Sequence, residues 1–124
     1  MFLGLRTVIY PAPDLEAMKA WFAALLGIGP YFDQPFYVGF EVGGYELGLD
    51  PSADPAAGPV SYWGVPDAHA AWQQLLSAGA TPHTEGLQDV GEGILVGAVR
   101  EPTGNIVGII ENPHFQASPA TSNI

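Results

Sequence analysis

The feature that most constrains this chain is an internal repeat. Ala12-Pro13-Asp14 returns as Val65-Pro66-Asp67, and Tyr45-Glu46-Leu47-Gly48-Leu49-Asp50-Pro51 is answered by Val107-Gly108-Ile109-Ile110-Glu111-Asn112-Pro113. Each Pro-Asp pair follows a run rich in β-branched and apolar residues and precedes a stretch of helical periodicity. With 124 residues in all, neither copy is long enough to bury a core alone, so the two are expected to share one. The repeat therefore predicts one domain made of two similar modules.

Each module reads as strand, helix and three further strands. Leu5 to Tyr10 is the first strand, and Asp14 is a natural N-cap for a helix carrying Leu15, Met18, Phe22, Leu25 and Leu26 on one side. Gly27 stands where a left-handed C-terminal residue belongs. Strands are expected around Tyr31-Phe32, from Phe36 to Val42 and from Tyr45 to Leu49, with Gly43-Gly44 as a hairpin turn. Residues 52–59 are a Pro- and Ala-rich linker. The second copy runs Val60 to Val65, a helix capped by Asp67, and strands near Thr81 to Thr84, Ile94 to Arg100 and Asn105 to Glu111. The expected division is a single domain over 1–115, with module one at 1–51, module two at 60–115, and a frayed tail at 116–124.

Composition excludes whole classes of function. Apolar residues make up 48% of the chain and charged residues 13%, about half the usual share of roughly 25%. Such a chain folds, because disorder requires low hydrophobicity together with charge. Only Arg6, Lys19 and Arg100 are basic, and the formal charge is −10. Three scattered cations cannot neutralise a phosphate backbone or an anionic membrane surface, so neither nucleic acid nor membrane is an expected partner. There are no cysteines, which removes disulfides, thiolate metal sites and a cysteine nucleophile together. The apolar run from Ala20 to Phe32 is too short to span a bilayer. In Met1-Phe2-Leu3-Gly4-Leu5-Arg6 the charge follows the apolar residues, the reverse of a signal peptide. A cytoplasmic protein is expected. So few surface charges also predict a homodimer, in which a second copy covers part of the apolar surface.

Local motifs for other chemistries are absent. His69, His83 and His114 have no metal-like spacing, and no serine sits in a nucleophile elbow. The glycines at 39–44 and 91–93 do not lead into a helix as a phosphate cradle must, and read as turns.

The chain resembles the vicinal oxygen chelate superfamily, which includes glyoxalases, bleomycin-resistance proteins and extradiol dioxygenases. The resemblance is carried by Val8-Ile9-Tyr10-Pro11-Ala12-Pro13-Asp14-Leu15-Glu16 with Phe22 and Leu26-Gly27, by Val65-Pro66-Asp67 and Gly79-Ala80, and by Arg100-Glu101-Pro102-Thr103-Gly104-Asn105. The last stretch is similar to the Asp-Pro-Asp-Gly-Asn turn between that family's final two strands. The resemblance implies an α+β fold of tandem βαβββ modules, a curled mixed sheet around a cleft, with the helices on the outer face. It also implies a divalent metal held from the first and last strand of each module. Those positions fall here on Thr7, Glu46, Val60 and Gly108. Only Glu46 carries a good ligand group, so neither a metal nor another cofactor is expected.

What remains is a cleft with an aromatic lining and one carboxylate. Strand alternation places Thr7 and Ile9 on one face, with Val60, Tyr62 and Gly64 beside them and Trp63 and Val65 under the second helix. The expected ligand-binding residues are Thr7, Ile9, Phe40, Glu46, Tyr62 and His83. Arg6 is expected to face away, leaving Glu46 without a partner and suited to a cationic ligand, or to acid–base catalysis. The expected function is binding of a small molecule, sequestering a drug or metabolite without metal. A lyase, isomerase or dioxygenase of the same superfamily is the alternative, and an interaction module with a closed cleft is the third reading.

Overall fold

The computed structural model describes residues 1–115, and the expected frayed tail at 116–124 lies outside them. Nine strands and two helices form an α+β domain with one continuous mixed sheet that is not closed into a barrel. Module one contributes β1 (Gly4–Pro11), α1 (Leu15–Leu26), β2 (Phe32–Gln34), β3 (Tyr37–Val42) and β4 (Tyr45–Asp50). Module two contributes β5 (Val60–Gly64), α2 (Ala68–Ser77), β6 (Thr81–Pro82), β7 (Gln88–Asp89), β8 (Leu95–Arg100) and β9 (Ile106–Glu111). The sheet order is β2-β3-β4-β1-β5-β9-β8-β6, with β7 also paired to β8. The sequence reading lacked β7 and began the second strand one residue early, at Tyr31.

The repeat is visible in this order. Strands β1 and β4 pair in parallel, as do β5 and β9, and β1 meets β5 antiparallel at the centre. Ala12 N–H donates to the Asp50 carbonyl at the end of one parallel pair, and Val65 N–H donates to the Ile110 carbonyl at the end of the other. Both helices start as the sequence predicts. The carboxylate of Asp14 accepts from Ala17 N–H, and that of Asp67 from Ala70 N–H. Gly27 ends α1 in the left-handed conformation, φ 73°. Gly43 and Gly44, with φ of 60° and 90°, make the two-residue turn between β3 and β4. Glu101 closes the β8–β9 turn by accepting from the backbone N–H groups of Thr103 and Asn105 and from the Thr103 hydroxyl.

The expectation of one shared core is corrected. Two separate apolar clusters form, each inside one module. Val38, Phe40, Leu49 and Ala12 pack beneath α1 against Leu15, Met18, Phe22 and Leu26. Val65, Ala71, Trp72, Val99 and Ile109 form the second cluster with α2. Each helix covers only its own half-sheet, so each module completes its own layer pair. Trp63 does not join the cluster under α2 as expected, and instead stacks on Phe2 with ring centroids 5.0 Å apart.

Phe40 is fully buried and lies 6.5 Å from the Phe22 ring, on the helix side of the sheet. It is a core residue and lines neither the cup nor the smaller hollow described below, contrary to its expected place among the ligand-binding residues. Phe40→Ala is expected to cost about 3–5 kcal/mol, measured by urea denaturation. A cost below about 1 kcal/mol would show that the α1 cluster does not depend on it.

Candidate functional site

The face of the sheet away from the helices forms a cup of about 660 Å³ within the single chain. Its lining comes from both modules and includes Arg6, Thr7, Ile9, Tyr31, Tyr37 and Glu46 from the first and Tyr62, Val96 and Ile110 from the second. An open cup of this size does not fit the reading in which the cleft has closed.

Strand register explains why these residues meet. Thr7 lies opposite Glu46 on β4 and opposite Tyr62 on β5, and Tyr62 lies opposite Gly108 on β9. Glu46, Thr7, Tyr62 and Gly108 thus form one row across four strands. The residue equivalent to Thr7 in module two is Tyr62 and not Val60. The spacing from the Pro-Asp pair misplaced it by two residues, because module two has a shorter run between this row and its helix. A shift of two preserves the face.

Glycines make the floor. A Cβ at Gly108 would come within 2.5 Å of the Tyr62 ring, and one at Gly48 would overlap the Tyr37 hydroxyl. At Gly39 it would lie 2.8 Å from Glu46 Oε2 and 3.0 Å from the Tyr31 ring. Three tyrosines can therefore lie close to the sheet. Two of them converge on the carboxylate: Tyr37 donates to Glu46 Oε1 at 2.8 Å and Tyr31 donates to Oε2. Glu46 is not the unpartnered group expected from sequence, since neutral phenols satisfy both oxygens and offset its desolvation. No cationic ligand is needed to give this carboxylate a partner.

Arg6 is the second correction. The register of β1 against β5 slips by one residue between Leu5 and Thr7. This bulge inserts Arg6 as an extra residue and turns it into the cup beside Thr7. Its guanidinium lies over Gly64, where a Cβ would come within 2.6 Å of Nε, and under the Phe115 ring, 3.8 Å from its centroid.

Of the expected ligand residues, the cup gathers Thr7, Ile9, Glu46 and Tyr62. His83 lines a neighbouring hollow of about 210 Å³ with Asp50, Asp54 and Arg100, and Ile9 and Tyr62 border both spaces. The sequence reading missed Arg6 and the pairing of Tyr31 and Tyr37 with Glu46. The residues present do not fit a divalent metal. The row offers one carboxylate, both of whose oxygens are engaged, and the Tyr62 ring lies against Gly108, where a ligand side chain would stand. Among the described residues no three His, Asp or Glu side chains gather as a metal site.

No protein-family model and no curated protein matches the sequence. Solved structures do match the fold. A methylmalonyl-CoA epimerase variant from Streptomyces coelicolor, in complex with 2-nitronate-propionyl-CoA, superposes with a TM-score of 0.76 at 13% identity, over 96% of this chain and 100% of that one. A glyoxalase/bleomycin resistance protein/dioxygenase superfamily member from Vibrio splendidus 12B01 gives 0.65 at 17% identity, covering 86% and 97%. A hypothetical protein from Bacillus halodurans C-125 gives 0.71 at 14%, covering 93% and 97%. The chain has the vicinal oxygen chelate fold.

Burial pushes the Tyr31, Tyr37 and Tyr62 phenols above the usual tyrosine range, reinforced by Glu46 for the first two and by Asp50 for the third. In the unfolded chain they would ionise near pH 10. Their contribution to stability is thus present below about pH 10 and is lost as pH rises through the higher folded values. Thermal melts are expected to show falling stability above about pH 10, with a shallower fall in Tyr37→Phe. An equal fall in that variant would show that Tyr37 does not carry the effect.

Proposed function

We propose that this protein binds a small, largely apolar organic molecule in the cup, without a metal, and so sequesters a drug or metabolite. The observation that carries this reading is the row itself. At the positions where the fold would hold a metal stand Glu46, Thr7, Tyr62 and Gly108, and phenols occupy the one carboxylate. The cup is large enough for a drug-sized ligand and has the composition of a binding pocket, with aromatic and aliphatic walls and few polar groups. Methylmalonyl-CoA epimerase keeps an isomerase reading in view, with Glu46 as the acid–base group. Against it, both Glu46 oxygens accept hydrogen bonds from phenols.

Two measurements test the proposal. Addition of Ni, Zn, Mn or Fe is expected to leave the melting temperature unchanged, whereas an apolar aromatic ligand is expected to raise it by mass action. A large shift with any of these metals would overturn the metal-free reading.

We also propose that two copies associate. Trp21, Leu25 and Ile28 are 61%, 67% and 46% exposed on and just beyond α1, an apolar cluster that a second copy would cover. Sedimentation is expected to give twice the 13.1 kDa chain mass at micromolar concentration. A monomer up to the highest soluble concentration would remove this claim.

A further inference from the structure

Arg6 is the charged group of the cup that this reading leaves without a task, and its surroundings are built for it. The bulge turns it inward, and Gly64 leaves room for the guanidinium to lie against the sheet. Gly4, at φ 135°, adopts a conformation open to glycine, and a Cβ there would sit 3.3 Å from Arg6 Nη1. The Phe115 ring holds the cation from above. Arg6 makes no salt bridge among the described residues, and its hydrogen bond there is Nη1 to the Leu5 carbonyl at 3.2 Å. Most of its five N–H donors are left for another partner.

The other two cations do not line the cup. Lys19 bridges Glu16 and Asp33, and Arg100 donates to the Gly104 carbonyl in the β8–β9 turn. The two carboxylates that line the cup have partners of their own, Glu46 in Tyr31 and Tyr37, and Glu41 in Gly44 N–H at 2.8 Å. Beside Arg6 the sheet is apolar. Gly64, the residue under the guanidinium, pairs with Ile110 on β9, and Ile110 pairs with Val96 on β8. A cationic pole thus opens onto an aliphatic strip that ends near Ile94.

Resting on the proposed small-molecule reading, we propose that the ligand is an organic acid, its carboxylate on the Arg6 fork and its hydrocarbon or aromatic body along Ile110 and Val96. A planar guanidinium takes a carboxylate in two parallel hydrogen bonds, which sets orientation as well as affinity. The formal charge of −10 does not forbid this, because fields from charges beyond about 8 Å are screened at physiological salt while Arg6 touches the ligand. The apolar body supplies the burial that brings the acid into the cup.

The test compares 2-naphthoate with 2-naphthamide, which share a body and differ in charge, and adds 2-naphthylmethylammonium as the cationic analogue. Calorimetric titration is expected to show the acid binding at least about tenfold tighter than the amide, with the cation weakest. Arg6→Gln is expected to bring the acid's affinity down to that of the amide. If that variant does not fold, salt decides on the wild type. Raising NaCl from about 0.05 to about 0.5 M should weaken the acid and not the amide. Equal binding of acid and amide, or tightest binding of the cation, would overturn the assignment of Arg6 and leave small-molecule binding standing. Failure of all three to bind would overturn both readings.

Discussion

The pairing of β1 with β5 is the constraint on which the rest of this structure depends. Each helix buries its own cluster inside its own module, so the two halves share no apolar core. They are joined instead by one antiparallel seam, with Thr7 opposite Tyr62, Val8 opposite Ser61 and Ile9 opposite Val60. That seam brings the two half-cups to a common rim and aligns Glu46 and Thr7 with Tyr62 and Gly108. A slip of one residue along it would send Thr7 and Ile9 to the helix side and bring Val8 and Tyr10 inward. The single bulge in the seam applies that logic locally. It leaves Leu5 level with Trp63 and brings Arg6 into the cup next to Thr7.

The second organising element is the use of glycine where side chains would ordinarily stand. Glycine in a strand removes cross-strand packing and costs roughly 0.5–1 kcal/mol relative to Ala. Here Gly48, Gly64 and Gly108 each lie beneath a large polar side chain, Tyr37, Arg6 and Tyr62 in turn. The volume surrendered by the sheet is filled by rings and a guanidinium from neighbouring strands. A curved sheet thereby acquires a polar surface whose hydroxyls and N–H groups lie close to the backbone, while the cup above stays open. The same device explains the Glu46 clamp. Gly39 clears the approach of Tyr31 and Gly48 that of Tyr37, so two phenols reach one carboxylate from different sides.

Much of the fold was legible because it is written in local chemistry. Asp14 and Asp67 announce the helices, Gly27 ends the first, and the Gly43-Gly44 pair fixes the β3–β4 hairpin. The same hairpin also held the information that Phe40 is core. A two-residue turn sets Val42 opposite Tyr45 and Phe40 opposite Leu47, so Phe40 must share the face that Glu46 does not. The period of two decides this without a structure. Arg6 was not legible, because a bulge depends on how two distant strands settle and no residue type near it demands one. Nor was the pairing of Tyr31 with Glu46, since Tyr31 lies in the loop before β2 and reaches the carboxylate only because the sheet curls. The Thr7–Val60 equivalence failed for a simpler reason. The modules differ in length between helix cap and site, so a constant offset from the caps does not hold at the row.

The fold supplies positions and the side chains supply chemistry. Metal binding requires several lone pairs converging on one point. Here the row offers a carboxylate, a hydroxyl, a ring and a hydrogen, and the carboxylate's lone pairs already accept from Tyr31 and Tyr37. Burial raises those phenols above the usual tyrosine range, so they remain neutral donors to Glu46. The acidic end of the cup thus has hydrogen-bond partners within the protein on both carboxylate oxygens. The cationic end is balanced only from one side, by an aromatic face. Among the described residues, the end of the cup with hydrogen-bonding capacity to spare is therefore the bulge on β1, where Arg6 donates to the Leu5 carbonyl and pairs with no carboxylate.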